Sequence, residues 1–154
     1  DRSALSGIGN YRIILPSSSL PLNRDSTLIF ALAEAKDSSN PHDLHGGDSK
    51  NEDRKAGDPL DLTIELADAG GAVTQLPLSR FAALPTQITA QVMKLTLLED
   101  SGPSEPALQT YALPLSAFAA ANPAFDPARL TAVRFVFDRS SWGVIVLDDL
   151  GFSR

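Results

Sequence analysis

Side chains able to do chemistry fall in two stretches of this sequence. The first is "KDSSNPHDLHGGDSKNEDRKAGD", residues 36–58, which holds both histidines of the chain. His42, Asp43, His45 and Asp48 lie close together there, and imidazole plus carboxylate suits a transition metal. The same stretch has Leu44 as its one large apolar residue and no thiolate. A solvated, mobile insertion therefore fits it better than a metal loop, with proteolysis expected to cut there first. Any histidine-dependent catalysis must be built here, and mutating His42 and His45 would abolish it. The second stretch is "VRFVFDRSSWGVIVLDDLGFSR", residues 133–154, with the only tryptophan, Trp142, in a turn that also carries Arg139. An indole in a turn is either a platform for a ligand or a ring folded over one end of the core. The adjacent Asp148 and Asp149 follow Val144–Leu147, which reads as a strand buried on both faces and ending there. A carboxylate in that place is costly unless a cation, main-chain N–H groups, Arg134 or Arg139 pairs with it.

Other chemistry is missing. There is no cysteine, so disulfides, thiolate metal sites and cysteine nucleophiles are excluded. No Gly-x-Ser-x-Gly elbow, phosphate-cradling Gly-x-x-x-x-Gly-Lys loop or His-Glu-x-x-His helix occurs, and "GIGN" lacks the helix a nucleotide motif needs. The 19 acidic residues are not ordered in a way that marks any pair for glycoside hydrolysis. With 13 basic residues against those 19, a net charge of -6 and a pI near 4.7, the basic footprint of a nucleic-acid binder is absent. No apolar run is long enough to span a membrane.

The elements that must position these residues have mostly a period of two. "YRIIL", "QVMKLTLL", "LQTYALPL", "TAVRFVFD" and the final "VIVL" read as strands, and "STLIFALAEA", which periodicity alone fits to a buried strand or a short helix, is read as a strand too. "LDLTIELAD", Leu60–Asp68, alternates Leu60, Leu62, Ile64 and Leu66 with Asp61, Thr63 and Glu65, the pattern of a half-buried strand. Its "DAGG" turn leads into a partner strand at Ala72–Leu76. Single helical turns are expected at "SRFAAL", capped by Ser79, and "AFAAANP", capped by Ser116 and ended by Pro123. Eight or nine short strands with turns between them predict an all-β fold, an antiparallel two-sheet sandwich with one or two single-turn helices. At 154 residues it is one domain, 1–154, with the polar loop at 36–58. Its start at Asp1 without a methionine suggests a module cut from a longer protein.

The stretches "RFVFD", Arg134–Asp138, and "VIVLDDLGF", Val144–Phe152, together resemble the last hairpin of the galactose-binding-like β-sandwiches. That jelly-roll group includes many carbohydrate-binding modules. "LQTYALPLSAF", Leu108–Phe118, is similar to the strand that leads into a short helix before that hairpin. The resemblance implies a non-catalytic accessory module of a larger secreted or cell-surface enzyme. It also implies a structural calcium to which Asp148 contributes, with Asp149 beside it. Calcium prefers hard oxygen ligands, in keeping with such a pair. Polysaccharide or another glycan is the ligand implied, with Trp142 and Arg139 as the residues to meet it, while Tyr11 and Tyr111 read as core or cross-strand residues. The alternative is a structural or interaction domain that packs against a catalytic domain of the same chain through an apolar sheet face. A small metal-dependent enzyme built on the histidine loop comes third.

Overall fold

The structure, a computed structural model, describes residues 9–15, 21–35, 59–85, 107–140 and 143–153. Strands β1 (Gly9–Ile14), β3 (Thr63–Asp68), β4 (Val73–Pro77) and β6 (Leu130–Phe137) form a four-stranded sheet in the order β1-β6-β3-β4. Strands β2 (Thr27–Ala35), β5 (Gln109–Pro114) and β7 (Val144–Ser153) form a three-stranded sheet in the order β5-β2-β7. Every pairing is antiparallel. Helix α1 (Leu115–Ala121) and two 3₁₀ turns, Leu78–Arg80 and Pro127–Arg129, complete the described elements. The expected all-β two-sheet sandwich is the fold of this chain. Residues 36–58 and the expected strand "QVMKLTLL" lie outside the described residues. Among the described residues no helix is long and apolar enough to cross a membrane.

The strands form where apolar residues recur at every second position, because only then does one sheet face bury a continuous apolar surface. Leu28, Phe30 and Leu32 of β2, Ile64 and Leu66 of β3, and Val133 and Phe135 of β6 are all completely buried. Phe30 joins the two layers. Its ring stacks on Tyr111 of its own sheet, centroids 5.5 Å apart, and meets Phe135 of the facing sheet edge-on at 5.2 Å. Helix α1 closes one end of this core with Leu115, Phe118 and Ala119, and Phe118 stacks on Phe81.

The structure differs from the sequence reading at several points. Strands β6 and β7 are not a hairpin. β6 pairs with β1 and β3, whereas β7 pairs with β2 in the other sheet. Both strands present apolar residues to one core, and they do so from opposite sides. β3 is buried on both faces, since Thr63 and Glu65 are nearly as covered as the leucines. It lies between β6 and β4, whose Arg134 and Gln75 roof the Glu65 carboxylate. Neither expected serine caps a helix: Pro77 and Pro114 occupy the cap positions, and the Ser79 hydroxyl donates instead to Asp61. Finally, β7 does not end at the aspartates but continues to Ser153, and Val144–Leu147 is half-buried, with Val146 exposed. Among the described residues β7 is an edge strand.

Asp68 shows how a polar residue fixes this arrangement. It is buried at the end of β3, where its carboxylate accepts from the main-chain N–H groups of Gly70, Ala72 and Asp126. The first two close the β3–β4 turn, in which Gly71 takes the positive φ of 85° that favours glycine. The third ties that turn to the segment that precedes β6. Burial alone would push the Asp68 carboxyl up, but these N–H groups and nearby Arg129 outweigh it and hold the carboxyl below its ordinary value.

Candidate functional site

The residues singled out by sequence separate into three places. The first is the polar cluster around Asp61, which anchors the segment that follows β6. Arg139 Nε donates to Asp61 Oδ2 at 2.6 Å, and the Ser79 hydroxyl donates to the same oxygen at 2.8 Å. Asp61 Oδ1 accepts from the Ser79 and Leu62 N–H groups, and the Asp61 N–H donates to Ser140 Oγ at 2.9 Å. Burial raises the Asp61 carboxyl, while Ser79, Arg139 and Leu62 lower it more, so it stays ionised well into acid. Arg139 is thus oriented by an acceptor that no sequence motif marks. Its partner lies 78 positions away and meets it only because β3 and β6 are neighbours. Trp142, two residues beyond Ser140, lies outside the described residues.

The second place is the aspartate pair. Ile29 of β2 faces Gly151 and Ala31 faces Asp148, so Asp149 and Leu150 together oppose the single residue Phe30. This is a β-bulge, and Asp149 adopts the positive φ of 52° that aspartate tolerates better than most residues. The Asp149 N–H donates to Asp148 Oδ1 at 2.8 Å, and both side chains are exposed. Neither pairs with Arg134 or Arg139, which are held by Glu65 and Asp61. Among the described residues no three His, Cys, Asp or Glu side chains come together. A calcium ion here would take Asp148, with Asp149 as a neighbouring ligand or as an acceptor behind it, and would need main-chain carbonyls and water for the rest of its six to eight oxygen positions.

The third place was not expected. Tyr111 is a core residue, 2% exposed, its hydroxyl donating to the Ala83 carbonyl and its titration pushed up to about 12 by burial. Tyr11 is different: it is 56% exposed on β1, an edge strand among the described residues. It pairs in register with buried Phe135, so it shares the core-facing side of the sheet but extends past the core. Half-buried Phe137 lies diagonally beside it and rests against Gly9, where an added Cβ would sit 3.7 Å from the ring. An aromatic face open to solvent, with a second ring beside it, is the type of surface on which a flat apolar group stacks. Nothing in "NYRII" shows this, because alternation specifies a face and not whether that face extends beyond the core.

The folded chain is similar to solved β-sandwich carbohydrate-binding modules. One is the family 30 carbohydrate-binding module of a cellulosomal cellulase of Clostridium thermocellum, with a TM-score of 0.53 and 13% identity over 94% of this chain and 68% of that one. Another solved structure of a family 30 carbohydrate-binding module gives a TM-score of 0.52 and 13% identity over 94% of this chain and 60% of that one. At this identity the likeness is one of fold. No protein-family model matches the sequence, and no curated protein matches it.

Proposed function

We propose that this chain is a non-catalytic carbohydrate-binding module, carried as an accessory domain by a secreted or cell-surface enzyme. The observation that supports this most is the two-sheet fold, shared along 94% of the chain with family 30 modules. In this reading Tyr11 provides a ring face for the C–H side of a pyranose, and Trp142 adds a second platform. Arg139, oriented by Asp61, donates to sugar hydroxyls. No residue is assigned a catalytic role. Affinity electrophoresis against soluble glucans and xylans, with pull-down on insoluble cellulose, tests it. Retention on at least one polymer is expected, with Tyr11→Ala or Trp142→Ala weakening it by about tenfold, the range for losing one stacked ring. Absence of retention on every polymer would overturn the reading.

The proposal includes calcium at Asp148 and Asp149. A ligand that binds only the folded state raises Tm with the logarithm of its free concentration, and Asp148→Ala should remove that rise. A Tm indifferent to calcium and to chelator would leave the pair to the bulge alone. A second reading, an interaction domain packed on its catalytic neighbour, has one observation in its favour. Ile14 and Val73, 72% and 44% exposed, end an apolar row with Ala132 and Ala67 across the outer face of the four-stranded sheet. Copurification with the catalytic domain in the absence of any glycan retention would select it.

A further inference from the structure

On that same outer face, one row along, the strand register aligns Arg12 of β1, Arg134 of β6, Glu65 of β3 and Gln75 of β4. Arg134 donates to one oxygen of Glu65, and Gln75 Nε2 donates to the other at 2.5 Å. Glu65 is only 5% exposed, so both its oxygens are used and its charge is spent on Arg134. Arg12 is exposed and makes no hydrogen bond or ion pair among the described residues. Two guanidinium groups directly opposite each other on neighbouring strands repel, and this row contains one carboxylate for the two of them. Among the described residues this row therefore carries an unbalanced positive charge, with one guanidinium held by a buried acceptor, on a protein whose net charge is -6. Planar guanidinium groups recognise carboxylates through paired N–H donors.

We propose that Arg12, with Arg134 behind it, is a subsite for a single sugar carboxylate, which makes the ligand an otherwise neutral polysaccharide bearing isolated uronic acid branches. A polymer acidic at every residue is disfavoured by the overall negative charge of the protein, whereas one acid group on a neutral chain meets only the local row. The inference rests on the carbohydrate-binding reading and deepens it. It also fits the position of Tyr11, which adjoins Arg12 on β1 and faces the other side, so a chain stacked on the ring has that strand, an edge among the described residues, as the route for a branch.

The test compares a xylan carrying single glucuronate branches with the same xylan after chemical reduction of its carboxyl groups, each titrated calorimetrically into the intact chain. The acidic form is expected to bind about tenfold more tightly, as a charge-assisted pair supplies. That preference should vanish in Arg12→Ala, persist in weakened form in Arg12→Lys, and shrink as salt is raised. Equal binding of the two xylans, or binding of cellulose alone, would overturn the carboxylate subsite and leave the carbohydrate-binding reading intact. Failure to bind either xylan with retention on a glucan would overturn the carboxylate subsite alone, and failure to bind any xylan, glucan or cellulose would overturn both.

Discussion

At the scale of single residues, this protein uses aspartates as organisers of main chain. Asp68 accepts three N–H groups from two separate segments, so its removal strands buried donors as well as a charge partner. Asp68→Ala is expected to destabilise the fold by roughly 2–4 kcal/mol in urea unfolding, from the unsatisfied donors and the charge-assisted bonds lost. Asp149 illustrates a different use. Its positive φ of 52° is tolerated by aspartate, free in glycine and strained for a branched side chain. Asp149→Val should cost about 1–2 kcal/mol and Asp149→Gly should be close to neutral, by the same measurement. Equal stability of the two variants would show that the backbone at this position relaxes.

Among the elements, β2 holds the sandwich together, being the middle strand of its sheet and the source of Phe30. Phe30→Ala should cost about 3–5 kcal/mol, because no neighbour can collapse into a space bounded by two aromatic rings. Ile29→Ala, on the half-buried outer side of the same strand, should cost far less. A similar penalty at both positions would mean that the three-stranded sheet is buried on both faces. β7 raises a separate issue: among the described residues it is the longest strand and an edge. A long straight edge invites pairing with another copy, and a bulge with two exposed charges at mid-strand blocks it. Asp148→Val should therefore increase self-association, read by light scattering, without loss of secondary structure. Unchanged monomer content would remove this role from the pair.

For the whole molecule, acid should loosen the fold through Asp61 and Asp68. Both carboxyls are held below their ordinary value of 3.8 in the folded chain. The unfolded chain therefore takes up protons first as pH falls, so their stabilising contribution is complete above that value and is lost as pH drops through it to the lower folded value. Tm should be flat from neutral pH to about pH 5 and fall below pH 4, with a shallower fall in Asp68→Asn. A Tm that is already declining near pH 6 would point to a different titrating group.

The fold was legible in the sequence because one-sided burial leaves a period-two trace. The alternation of Leu60 to Leu66 and the turn-forming Gly70–Gly71 are local, and the type of these elements followed from them, whereas the continuous apolar run of β2 fits a buried strand or a short helix equally by period. Which strands pair is a long-range matter, and it depends on competition among all apolar faces for one core. For that reason β6 and β7, adjacent in sequence, separate into different sheets, while β3 gains a second buried face that its polar positions do not announce. The candidate site divides in the same way. Arg139 and the aspartate pair stood out as charges beside apolar strands, but the acceptor for Arg139, the bulge under Asp149 and the row that aligns Arg12 with Arg134 are products of register. Tyr11 and Tyr111 have the same chemistry and similar strand contexts. One is buried in the centre and the other is open at an edge because strand order, set by packing across the whole sheet, decides where the core ends.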